Sequence, residues 1–153
     1  MSRAFVKEVE DEINDLPDRP VSTHPNFVTV EGLAAIERTL SRFEAANKAA
    51  IAKNDRMAIA ATQREVRYWN ARRSTAKVVE PAADKSKVHF RSTVTVRRND
   101  GRAQTFRIVG EDEAEPARGT ISYVSPLARA VLGGMVGDTV EVPGGGATIT
   151  EIE

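Results

Sequence analysis

The chain has 153 residues, of which 41% are hydrophobic and 29% charged, with 22 basic side chains against 22 acidic ones and no cysteine. That length holds one ordinary domain or two small units sharing a modest core. The missing cysteines exclude disulfides, thiolate metal sites and cysteine nucleophiles, and zero net charge speaks against general nucleic-acid binding.

No apolar run approaches the ~20 residues needed to span a bilayer. Met1–Lys7 lacks the apolar core of a signal peptide. The expectation is a cytoplasmic protein without membrane contact. Its charge is unevenly spread. Residues 1–20 hold six acids against three bases, residues 53–77 seven bases against two acids, and residues 101–153 four bases against eight acids. The basic stretch suits a solvated helix face, an acidic protein surface or a phosphate backbone.

Residues 1–28 read as an extended or disordered tail, acidic and then interrupted by Pro17, Pro20 and Pro25. Each proline fixes φ and removes a donor, so no long helix or central strand fits; a short turn is expected near residues 8–14. Residues 29–79 read as an antiparallel helical hairpin. Thr29 is placed to cap a first helix over 30–52, with Glu31 where the dipole favours negative charge. Leu33, Ile36, Leu40 and Phe43 recur at spacings of three and four, and Asn47 and Ala50 continue the stripe. That is a narrow coiled-coil seam. Lys53-Asn54-Asp55 breaks it, and Asp55 is placed to cap a second helix over roughly 56–77, whose stripe is Ile59, Thr62, Val66, Trp69 and Ala76. A connection this short forces the helices antiparallel. Each arm then extends roughly 33 Å, at ~1.5 Å per residue. Trp69 is expected to close the base against Ile36 and Leu33.

Pro81–Ser86 reads as a linker, after which the hydrophobic period changes to two. Val88, Phe90, Ser92, Val94 and Val96 alternate with polar residues as one half-buried strand. Asn99-Asp100-Gly101 is a hairpin turn, and Thr105–Val109 the return strand. Thr120–Tyr123 is a third strand. Pro126–Leu132 is a short helix opened by Ser125 and stopped by Gly133-Gly134. Thr139–Val142 and 147–152 are strands joined by a glycine turn. The fold class is α+β: an N-terminal antiparallel helical hairpin, then a small antiparallel β-domain over 80–153 with one short helix.

Residues suited to catalysis are scarce. His24 and His89 have no partner at metal-ligand spacing. Gly144–Gly146 lacks the lysine and helix of a phosphate loop. The acidic run Glu111-Asp112-Glu113 with Glu115 lacks calcium-loop spacing and reads as a solvated loop. No Ser/His/Asp set appears. Neither a catalytic residue, a metal site nor a cofactor is expected.

The strongest signal is a resemblance. Val88–Val96, Phe106-Arg107-Ile108-Val109-Gly110, Glu113-Ala114, Ile121–Gly133 and Gly137–Gly145 match the Gre transcription elongation factors in order and spacing over roughly 85–153. Ser125-Pro126-Leu127-Ala128-Arg129-Ala130 is the most specific stretch. Val28–Leu33 resembles the opening of that family's first coiled-coil helix, and Val66–Trp69 with Arg72-Arg73 and Ala76–Val79 the end of its second; the nucleoside diphosphate kinase regulator branch, with its reduced hairpin, is a near neighbour. The resemblance implies a β-domain similar to the FK506-binding proteins. It implies a globular domain gripping the rim of RNA polymerase's secondary channel, with Ser125, Pro126, Leu127 and Arg129 as contacts. It also implies a monomeric factor whose coiled coil enters the channel, near nucleic acid only indirectly, to help hold a catalytic magnesium ion at an acidic tip.

The tip departs from that pattern. Lys53, Asn54, Asp55 and Arg56 offer one carboxylate between two cations, whereas magnesium usually takes one or two protein carboxylates. The hairpin is also shorter than in the full-length cleavage factors, and two turns per arm cost about 11 Å of reach at ~5.4 Å per turn. The leading expectation is a polymerase-binding regulator with weak or absent stimulation of transcript cleavage. The alternatives are a conventional cleavage stimulator, a peptidyl-prolyl isomerase by analogy with the β-domain, and a direct nucleic-acid binder using the basic second helix.

Overall fold

The computed structural model describes residues 16–153; the turn expected near 8–14 lies outside them. The described elements in chain order are β1 (Phe27–Val28), α1 (Val30–Ala52), α2 (Arg56–Thr75), β2 (Lys77–Val78), β3 (Thr93–Arg98), β4 (Ala103–Val109), β5 (Thr120–Ser122), α3 (Pro126–Val131), β6 (Thr139–Val142) and β7 (Gly145–Ile152). Single turns of 3-10 helix at Glu111–Glu113 and Pro116–Arg118 join β4 to β5. The chain divides into two compact units. One joins the residues up to Thr23 with Ala34–Thr75, and the other joins His24–Leu33 with Ala76–Glu153. The fold is α+β.

In the helical unit, the seam predicted for α1 is the buried one: Ile36, Leu40 and Ala50 are buried, and Phe43 and Asn47 half-buried. Facing them on α2, Ala60 is buried, and Ile59, Thr62, Val66 and Trp69 are half-buried. Thr62 donates to Asn47 Oδ1 at 2.9 Å. These residues lie seven positions either side of the Asn54-Asp55 turn, the register of a symmetric antiparallel hairpin. Trp69 is half-buried, and its indole N–H donates within α2, to Glu65 Oε2 at 3.2 Å, while its ring meets Tyr68 edge-on at 5.0 Å. Arg72, which sequence placed on a solvated basic face, is only 2% exposed.

The other unit is built on a five-stranded sheet of order β5-β4-β3-β7-β6, with β4 and β5 parallel and the remaining pairs antiparallel. One face carries the core: Val94 and Val96 from β3, Phe106 and Ile108 from β4, Ala147 and Ile149 from β7, with Ala128 and Val131 of α3 and Val88 and Ile121. The single strand predicted from Val88 is interrupted. Ser92 accepts from the His89 N–H at 2.9 Å and donates its own N–H back to the His89 carbonyl, and Arg91 takes φ +78°. A serine hydroxyl that bonds its neighbours' backbone offers the chain a turn in place of a ladder. Pairing therefore begins at Thr93, although Val88 and Phe90 still turn toward the core.

Residues 24–28, read from sequence as the end of the tail, are built into this unit. β1 pairs in parallel with β2, through Lys77 N–H to the Asn26 carbonyl (2.8 Å) and Val79 N–H to the Val28 carbonyl (3.0 Å). Asn26, Val28 and Thr29 are buried. Thr29 is held by Glu113. Its carboxylate accepts the Thr29 N–H at 2.9 Å, the Thr29 hydroxyl, and the Gly110 N–H at 3.1 Å. The Thr29 hydroxyl oxygen in turn accepts the Gly32 N–H at 2.9 Å, which is the expected cap of α1. Gly32 makes room for this: a Cβ there would lie 2.1 Å from the Glu113 carboxyl carbon. Glu113 had been read as part of a solvated acidic loop. The neighbouring Glu31 carboxyl is held below the ordinary carboxylate range, chiefly by hydrogen bonding to its own backbone N–H.

These contacts set a sign that helix propensity alone would get wrong. Gly to Ala inside a helix normally gains about 0.8–1.0 kcal/mol. Gly32→Ala is expected instead to lose about 1–3 kcal/mol, because it drives Glu113 off its partners. Glu113→Ala is expected to cost about 2–4 kcal/mol by orphaning three donors. In the Glu113→Ala background the clash is gone, so Gly32→Ala should turn stabilising. A double-mutant cycle by urea denaturation measures all three values.

Candidate functional site

The sequence singles out two surfaces, one in each unit. The first is the hairpin tip. α1 ends as a Schellman motif: the Asp55 N–H reaches back to the Ala50 carbonyl and the Asn54 N–H to the Ile51 carbonyl, both at 3.0 Å, with Asn54 left-handed at φ +52°. Among non-glycine residues asparagine tolerates that conformation best. α2 starts at once, with Asp55 Oδ1 accepting the Ala58 N–H at 3.2 Å. The turn thus uses Asn54 for its backbone conformation and Asp55 as an N-cap. Lys53, Asn54, Asp55, Arg56 and Met57 are all exposed, and so is Ile51. The first turn of α2 has no acid and opens with Arg56, a cation at the positive end of a helix dipole. The surface offered is basic and apolar, and its one carboxylate already has a backbone partner.

The second surface is the start of α3. Ser125 has extended backbone and its hydroxyl accepts the Ala128 N–H at 3.3 Å, with Pro126 in the first helical position. Ala128 and Val131 face the core and Leu127 packs partly against it. Of the four expected contact residues, only Pro126 and Arg129 are exposed. Ser125 is half-buried and spent on the cap, so Leu127 and Ser125 serve the fold first.

Beside β5, Phe27, Phe90 and Tyr123 form an aromatic triad with centroid separations of 5.4–6.3 Å. The Tyr123 hydroxyl donates to the Pro25 carbonyl. Phe27, from a segment read from sequence as tail, completes the cluster by packing against both of the others. Elsewhere a concavity of about 700 Å³ lies between the β3–β4 and β6–β7 turns. The Arg98 guanidinium there is already bonded to the Pro143 carbonyl (2.7 Å) and to Gln104 Oε1 (2.8 and 3.1 Å). Gly144 and Gly145, with φ +94° and +130°, form the expected turn. Among the described residues no helix is long and apolar enough to cross a membrane.

The family described as "Transcription elongation factor, GreA/GreB, C-term" matches residues 83–153. The transcription elongation factor GreB of Yersinia pestis is 34% identical over 150 residues, covering 84% of this chain and 87% of that protein. The GreB of Neisseria meningitidis serogroup B is 42% identical over 79 residues, covering 50% of this chain and 48% of that protein. The chain thus spans about half the length of several curated relatives it matches. A solved GreA/GreB elongation factor from Nitrosomonas europaea aligns over 85% of this chain and 98% of its own, at 19% identity with a TM-score of 0.40.

The tip geometry separates a structural Asp55 from a metal-binding one. Asp55→Ser keeps an N-cap oxygen and should change stability by only a few tenths of a kcal/mol, whereas Asp55→Ala should lose ~0.5–1 kcal/mol. Asn54→Gly should be neutral and Asn54→Ala should cost ~1–2 kcal/mol, because of the left-handed backbone. Thermal unfolding followed by helix circular dichroism checks each.

Proposed function

The chain belongs to the GreA/GreB family of transcription elongation factors, and we propose that it binds bacterial RNA polymerase at the secondary channel as a cytoplasmic regulator that occupies the channel while stimulating transcript cleavage weakly or not at all. The exposed part of α3, Pro126 and Arg129, is the proposed polymerase contact of the C-terminal unit, and the helical hairpin is the part that enters the channel.

One observation carries this reading. The tip's single carboxylate, Asp55, is committed to capping α2 and stands between Lys53 and Arg56. Holding a magnesium ion there would require oxygen ligands, usually with one or two protein carboxylates. These residues do not fit that group: two cations oppose its recruitment in a low-dielectric channel. Arg56 adds to this, since a cation at the first position of α2 stands at the positive end of the helix dipole and does nothing to attract a metal ion. A conventional cleavage factor, the second reading, would instead need tip carboxylates free to bind metal. The proline-isomerase reading loses support, because Phe90 and Tyr123 close on Phe27 of the same chain.

Two measurements test this. On backtracked transcription complexes with magnesium, the protein is expected to leave transcript shortening at its basal rate and to slow cleavage by a longer Gre factor in competition. Strong Asp55-dependent shortening would return it to the conventional class. For docking, Arg129→Glu is expected to reduce capture by core polymerase roughly tenfold, the scale of one lost charge contact, with an unchanged circular dichroism spectrum. Leu127→Asp is unsuitable because Leu127 packs partly against the core.

A further inference from the structure

Residues 16–23 belong to the helical unit, and side chains tie them to α2. Asp18 Oδ1 accepts from Arg67 Nε at 2.7 Å. Arg19 Nη1 donates to Glu65 Oε2 at 2.7 Å, and its guanidinium carbon lies 3.8 Å from the Tyr68 ring centroid and 5.7 Å from that of Trp69. Glu65 also receives the Trp69 indole N–H. Residues 65, 68 and 69 share one face of α2 by their i, i+3, i+4 spacing. Together they make a box with a carboxylate rim and two aromatic walls, the chemistry that receives a guanidinium.

The segment is shaped for docking but held lightly. Pro17 and Pro20 flank Asp18-Arg19 and pre-set an extended backbone, which lowers the entropy lost on docking. Its apolar side chains do not anchor it: Leu16 and Val21 are exposed. The Asp18–Arg67 pair is open to solvent, whereas Arg19 and Glu65 are largely covered. Ion pairs of this exposure and one stacked guanidinium favour the docked state by only about ten- to a hundredfold.

We propose that residues 16–23 are a releasable strap, locked by Arg19 over the Glu65–Tyr68–Trp69 face of α2, whose opening uncovers that aromatic face. The strap opens as ionic strength rises, and more readily to a competing guanidinium than to a simple cation. This concerns the isolated chain and does not depend on the polymerase reading.

Trp69 is the sole tryptophan, so its emission and acrylamide quenching report on this face alone. In the full-length protein, raising NaCl from about 0.05 M to about 1 M should red-shift emission and increase quenching roughly twofold as the ion pairs are screened. L-argininamide should do the same at lower ionic strength than NaCl. Arg19→Ala should start at the shifted position and barely respond to salt. Arg19→Lys, which keeps charge but loses the planar fork, should fall between the two. Asp18→Asn, a second variant that leaves Arg19 and its box intact, should move the salt midpoint lower. Helix circular dichroism should stay unchanged throughout. Wild-type quenching and salt response in Arg19→Ala, or equal potency of argininamide and NaCl at matched ionic strength, would overturn the proposal.

Discussion

The carboxylate of Glu113 fixes where the first helix begins. Three donors converge on it, two from Thr29, 84 residues earlier in the chain, and one from Gly110. It lies in the first 3-10 turn after β4, and its partners include the backbone and side chain of the residue that caps α1. Hydrogen bonds to an ionised acceptor are about twice as strong as neutral ones. A negative charge beside the N-terminus of a 23-residue helix also opposes the helix dipole. One side chain therefore satisfies the turn after β4, the cap of α1 and the buried backbone of Thr29 together. Gly32 follows from this, since no side chain at that position would leave the carboxylate its place.

Much of the fold was legible because it is written in local pattern. The seam of α1, the caps at Thr29, Asp55 and Ser125, the Asn99–Gly101 turn and the glycine turn after β6 each follow from spacing or from one residue's conformational preference. What stayed hidden depends on partners distant in sequence. Glu113 looks like any loop acid until Thr29 and Gly110 are brought to it. Arg72 looks solvated by its residue type, yet it is buried. Residues 26–28 read as the end of a Pro-rich tail because a two-residue parallel strand carries no periodicity. The turn at His89–Ser92 was masked by an alternation of apolar residues that continues through it, since Val88 and Phe90 before Arg91 and Val94 after it all face the core. At the candidate site, the tip was legible in residue identity, but the commitment of Asp55 to the Ala58 N–H needed geometry. The division of α3 into buried Ala128 and Val131 and exposed Pro126 and Arg129 needed it too.

The aromatic triad shows how a resemblance of fold can mislead about chemistry. An isomerase would need its aromatic walls open to a substrate proline. Here Phe27 packs edge-on against Phe90 and tilted against Tyr123, and the Tyr123 hydroxyl donates to the carbonyl of Pro25. The short β1–β2 pairing delivers that segment to these rings, so the strand that sequence could not foresee also supplies the third ring of the cluster. An apolar surface covered by the chain's own segment contributes stability through burial and leaves no room for a second occupant without unfolding the first.

The tip carries the opposite lesson, that a turn can be structurally demanding at some positions and indifferent at others. A Schellman end followed immediately by an N-cap specifies a residue tolerant of positive φ at 54 and a short side-chain acceptor at 55. Lys53 lies next to the last carbonyls of α1, where a cation is favourable, so the fold explains it in part. Helix electrostatics do not favour Arg56 at the first position of α2, and Met57 beside it is 69% exposed. Basic and apolar character at the tip of the hairpin describes a surface suited to an anionic, poorly solvated site. The same character makes it a poor holder of a divalent cation, and the distinction between occupying a site and supplying its metal rests on those few side chains.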